Sequence, residues 1–94
     1  MDENERSYLN TTNMFILTIT IGGKTTSNHY YTFKEGIIAA QAASMIFLLL
    51  YNRHPSIKGP IVNGKYYSDL FNEGSIILNE DPDFTQDLVK VGDL

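Results

Sequence analysis

TFKEGIIAAQAASMIFLLLYNR, residues Thr32 to Arg53, is the one stretch of the 94-residue chain long and apolar enough to form the spine of a core. Thr32 stands three positions before Glu35, the spacing at which a threonine hydroxyl accepts from an early backbone N–H while the glutamate reaches back to the cap. A helix is therefore predicted to start there. Ile37 to Tyr51 holds only two polar residues, Gln41 and Ser44, and the run closes on Asn52-Arg53-His54-Pro55, where the proline forces its predecessor out of helical geometry. At 1.5 Å per residue the apolar run spans about 22 Å, short of the roughly 30 Å of bilayer hydrocarbon. It reads as a buried helix rather than a membrane span.

At 100° per residue, Gly36, Ala39, Ala43, Ile46, Phe47 and Leu50 gather on one face, which is the expected core contact. The opposite face mixes Lys34, Gln41, Ser44 and Asn52 with Ile37, Ile38, Met45 and Leu48. Those four apolar residues need a cover, either from elsewhere in the chain or from a second subunit, and they form the candidate oligomer face.

Around this helix the chain offers short strands. Met14 to Ile21 alternates with period two, Gly22-Gly23 suits a tight turn, and Thr26 to Thr32 is again extended, so a hairpin leads into the helix. Ile57 to Val62, interrupted by Gly59-Pro60, suits an edge strand. Asn63-Gly64 is the strongest hairpin signal, and it sets Lys65, Tyr66 and Tyr67 to run back along Ile61 and Val62. Ser68 is placed to cap one helical turn over 69–73, closed by Gly74, and Ile76-Ile77-Leu78 supplies an internal strand. Asp81-Pro82-Asp83 carries the marks of a helix N-terminus, followed by Phe84, Leu88 and Val91 at helical spacing, which predicts a second helix over about 82–91 that covers part of the first. Residues 1–13 are polar and without period, and read as a flexible arm ahead of a single domain, 14–94. The expected fold is α+β, an antiparallel sheet on one long helix in the order ββαβ(β)βα.

Composition limits function more than it assigns it. The absence of cysteine excludes disulfides and thiolate zinc sites, and the N-terminus lacks the basic and apolar regions of a signal peptide, so a cytoplasmic location is expected. From Glu73 onward six acids face one lysine, which supplies the whole of the −4 net charge and argues against direct nucleic-acid binding. Gly23-Lys24-Thr25 imitates a phosphate loop, but a strand follows it instead of a helix N-terminus. His29 and His54 have no partners at ligand spacing, and Asn79 to Asp87 lacks the glycine and closing glutamate of a calcium loop. No catalytic residue, metal site or cofactor is assigned.

What remains is binding. Tyrosine gives large contact area at low entropic cost, which points to Tyr30, Tyr66 and Tyr67 as partner contacts. Glu80, Asp81, Asp83 and Asp87 would meet a partner with a basic surface, one that itself binds nucleic acid. The leading expectation is a small acidic, non-enzymatic protein-binding module. Residues with A/T-rich codons outnumber Gly, Ala, Arg and Pro by more than two to one, which fits a phage or mobile-element regulator or inhibitor. The rival expectations are a homodimer through Ile37, Ile38, Met45 and Leu48, and a small-ligand binder in which Tyr30, Tyr67 and His29 converge between helix and sheet.

Overall fold

The computed structural model describes residues 11–59, 61 and 64–87. Its elements are β1 (Thr11–Ile21), β2 (Lys24–Tyr30), α1 (Phe33–Tyr51), β3 (Ser56–Ile57), β4 (Lys65–Asp69), a 3-10 turn (Phe71–Glu73) and β5 (Gly74–Asp87). The strands form one antiparallel sheet in the order β2-β1-β5-β4-β3, and α1 lies across it, an α+β fold.

β1 is an internal strand, flanked by β2 and β5, and its period-two pattern gives it an apolar inner face from Phe15 to Ile21. Phe15, Leu17, Ile19 and Ile21 pair with Glu80, Leu78, Ile76 and Gly74 of β5 on one side and with Tyr30, Asn28, Thr26 and Lys24 of β2 on the other. Gly22 and Gly23, both at positive φ, make the β1–β2 turn, and the Gly22 N–H donates to the Glu73 carbonyl at 2.9 Å. At the other end of that contact Gly74 sits at φ 145°, where a Cβ would run into the Thr20 carbonyl oxygen. Only glycine lets β5 start there.

The helix starts at Thr32 as its sequence implies, although Glu35 reaches back to the threonine hydroxyl and not to its backbone N–H. The Thr32 Oγ1 accepts from the Glu35 N–H at 3.1 Å and donates to the Glu35 carboxylate at 3.0 Å. Asn52 closes the helix in the left-handed region at φ 54°, with its N–H on the Leu48 carbonyl. Arg53 then lays its guanidinium 3.5 Å over the Phe71 ring, tying the helix end to the β4–β5 connection. In that connection the Asp69 carboxylate, not Ser68, accepts from the Phe71 N–H.

The inner stripe of α1 is Gly36, Ala40, Ala43 and Phe47, all buried. It meets Leu17, Tyr66, Leu70, Ile76 and Leu78 in one core. Gly36 allows the approach, since a Cβ there would stand 2.6 Å from Leu78 Cδ1. The expected orientation is thus corrected by roughly half a face. Ile46 and Leu50, assigned to the core, are more than half exposed, and Ile37, assigned to the outer face, packs on the core instead. The helix is buried along this stripe and exposed opposite it. By length and composition α1 could cross a membrane, yet it rests on the sheet through its smallest residues and leaves most of its surface outside.

The second correction is at the C-terminal side. Residues 82–87 belong to β5 and not to a helix; 88–91 lie outside the described residues. The Asp81 carboxylate accepts from the Asp83 N–H at 3.1 Å, the same bond an N-cap makes, but here it closes a turn within the strand. Pro82, Asp83 and Phe84 bulge between the pairs Met14↔Asp81 and Asn13↔Thr85, after which β5 resumes its ladder with β1. That ladder also takes in Thr11–Asn13, which sequence assigns to the arm. Finally, β4 pairs with Ser56 and Ile57; Ile61, expected to pair with it, is not in a strand, and Val62 lies outside the described residues.

Candidate functional site

The pleat sorts the expected contact residues onto different sides of the sheet. Tyr66 and Tyr30 face the helix, Tyr66 buried in the core and Tyr30 packed against it, so neither serves as an outward contact. Tyr67 and His29 face the other way, and the pocket that was to join Tyr30, Tyr67 and His29 does not form. Of the three tyrosines only Tyr67 is exposed.

The acids are likewise dispersed. Glu80 receives the Asn13 amide at 3.0 Å, and Asp81 is 2.9 Å from His29 Nε2 across β1. Phe84, turned back by the bulge, stacks on the His29 ring at 4.1 Å. The hydrogen bond from His29 is the main influence holding the Asp81 carboxyl below its ordinary pKa; burial opposes it, and the Asp83 N–H adds to it. The hydroxyls on that face, Thr18 with Ser27 and Thr20 with Thr25, are near one another at 3.4 and 3.0 Å instead of lying on His29. The trio His29, Asp81 and Phe84 is a tie between β2 and β5. Among the described residues no group of three His, Asp or Glu could hold a metal. Asp83 is exposed; the Asp87 side chain lies outside the described residues.

The surface that stands out is on α1. The helix packs against β5, β1 and β2, which lets its outer side run free from Ile38 to Tyr51. Ile38 is 58% exposed, Met45 56%, Ile46 54%, Leu49 77% and Leu50 68%. No charged residue lies between Glu35 and Arg53 to break the patch. Of the four residues expected to form an apolar outer face, Ile38 and Met45 are on it, Leu48 is half-buried at its border and Ile37 has turned inward. Leu49, the most exposed of all, escaped sequence reasoning, although it continues the spacing set by Ile38, Ala42 and Met45.

Beside this face, where α1 stops short of β4 and β3, a cleft of about 250 Å3 opens between Met45 and Leu48 on the helix and Ile57, Tyr66 and Ser68 on the sheet. Ser68 is fully buried at its floor, and its hydroxyl has no hydrogen-bond partner among the described residues. The helix face and the cleft offer mainly apolar burial; His54 and Tyr66 are the titratable groups on the cleft lining among the described residues. Compared with known proteins, the chain matches no family model, no curated protein and no solved structure.

Proposed function

We propose that this chain is a small cytoplasmic protein-binding module, not an enzyme, and that it binds through the outer face of α1. The observation that carries this reading is the run of five large apolar side chains, each more than half exposed, on a single helix face. A contiguous apolar patch of this kind on a small domain marks an interaction surface. A lipid surface suits it poorly. Helices that lie in a membrane interface flank their apolar face with Lys and Arg, whereas α1 carries Lys34 and Glu35 in its first turn and no basic residue in its last. The chain's net −4 charge adds repulsion from anionic headgroups.

The acids keep a lesser role in this reading. Asp81 is engaged with His29, and among the described residues Glu80, which holds the Asn13 amide, and Asp83 are the exposed acids of the group that can influence the approach of a partner.

A photo-reactive phenylalanine analogue placed at Leu49, with Ser27 on the opposite face of the sheet as control, tests the proposal in cells expressing the chain. A protein adduct from position 49 that Ile38→Glu abolishes, with none from position 27, is the expected result. Equal labelling from both positions, or none from either, would overturn it.

A further inference from the structure

This inference rests on the reading above and names the partner. We propose that the outer face of α1 docks on a second copy of this chain, the two helices antiparallel about a two-fold axis level with the Ala43–Ser44 peptide.

The first ground is spacing. Ile38, Ala42, Met45 and Leu49 recur at intervals of four, three and four, the seam along which two helices pack side chains into each other's gaps. In the antiparallel arrangement Ile38 of one copy meets Leu49 of the other, and Ala42 meets Met45. Every pair then recurs on both sides of the axis, as a two-fold interface requires. The small Ala42 leaves the space that a methionine fills, and the two large β- and γ-branched residues close each end.

The second ground is charge. Two copies of a protein with net charge −4 repel, and a contact to which neither brings charge adds nothing to that repulsion. The stretch from Gly36 to Asn52 is such a place. The third is area. The exposed parts of Ile38, Met45, Ile46, Leu49 and Leu50 amount to roughly 550 Å2 per copy, the size of a small, weak interface below the roughly 800 Å2 per partner of a standard one.

Light scattering and sedimentation, at concentrations up to about 1 mM, read the outcome. The wild type should show twice the 10.6 kDa mass of the chain. Ile38→Glu and Leu49→Lys should each raise the dimer dissociation constant by more than about 100-fold, since each puts two charges against apolar partners. The double variant Ile38→Glu/Leu49→Lys should recover the dimer, because each glutamate then faces a lysine across the seam. Both positions are exposed, so circular dichroism of the single variants should match the wild type; Leu49→Gln provides a neutral version of the same break. A wild type that stays monomeric overturns the proposal, as do single variants that remain dimeric or a double variant that remains monomeric. A monomeric wild type that still forms the Leu49 adduct with a different protein would overturn this inference and leave the protein-binding reading standing.

Discussion

The two faces of α1 are opposite in size as well as in burial. Toward the sheet the helix buries Gly36, Ala40, Ala43 and one large residue, Phe47, with Phe33 and Ile37 packed at the edge of the core; away from it stand Ile38, Met45, Ile46, Leu49 and Leu50. Hydrophobicity alone would assign the larger residues to the interior. Distance decides otherwise, because small residues bring the helix backbone close to the already bulky side chains of Leu17, Ile76 and Leu78. The core is filled from the sheet side, and the helix's large residues are left over for something else.

That contrast can be broken most severely at the one large residue of the helix that is fully buried. Phe47 is 1% exposed, and its ring stacks on Tyr51 at 4.8 Å. Phe47→Ala should cost about 3–5 kcal/mol, read from urea unfolding, a large share of what a domain of this size possesses. A loss under about 1 kcal/mol would mean that the helix does not seat here.

Enlarging the small residues should do somewhat less. Ala40→Leu inserts three carbons where there is no exposed surface, and should cost about 1–3 kcal/mol. Gly36→Ala should fall in the same range, because Leu78 must move to admit the new Cβ, although the alanine also gains in helix propensity. If Ala40→Leu proves neutral while Ile46→Ala is costly, the helix is turned toward the face that periodicity first indicated.

On the outer face the effect should nearly vanish. Leu49→Gln should change unfolding free energy by less than about 0.5 kcal/mol when measured so dilute that the midpoint no longer depends on protein concentration. The same variant in concentrated solution should be the less stable one, which separates a surface used for association from one used for folding.

The smallest effect belongs to the opposite side of the sheet. With its pKa lowered in the folded state, Asp81 contributes stability that is fully present above the carboxyl's unfolded value of about 4 and is lost as pH falls through the folded one. The difference in midpoint between wild type and Asp81→Asn should hold steady near pH 5 and shrink below about pH 4. A difference that widens toward acid would show that the carboxylate is not what His29 requires.

Much of the fold was legible in the chain because it is written in local chemistry. The Thr32 cap, the alternation of Met14 to Ile21, the Gly22-Gly23 turn and the strand at Ile76-Ile77-Leu78 each involve residues that decide their own backbone. The rotation of α1 was not legible, since fourteen of the sixteen residues from Gly36 to Tyr51 are apolar, aromatic or glycine, and a helix apolar all round carries no mark of which side is inward. What fixed it is close approach at Gly36, a property of Leu78 on another element. Asp81-Pro82-Asp83 failed for a related reason. An aspartate that accepts from a backbone N–H two residues ahead opens a helix or turns a strand equally well, and the distant β1 ladder chose between them. The outer helix face was half legible. Ile38 and Met45 were found by exclusion, Leu49 was missed, and Tyr66 was misjudged because its outward or inward sense depends on a register set by β5.

That dependence on β5 shapes how the protein comes to be made. β1, near the beginning, must wait for β5, near the end, to complete the centre of the sheet: Ile21 pairs with Gly74 and Thr11 with Asp87. Such distant pairing slows folding relative to a fold of local contacts. On the ribosome, at about 5–20 residues per second, the hairpin and α1 emerge seconds before Ile76 and Leu78 arrive. For that interval the small-residue side of the helix lacks Ile76 and Leu78 and has only the hairpin to rest on, while the large-residue side is exposed as it is in the finished fold. The nascent chain at this stage is the form most exposed to chaperones and to aggregation, and the arrival of the last strand closes the window.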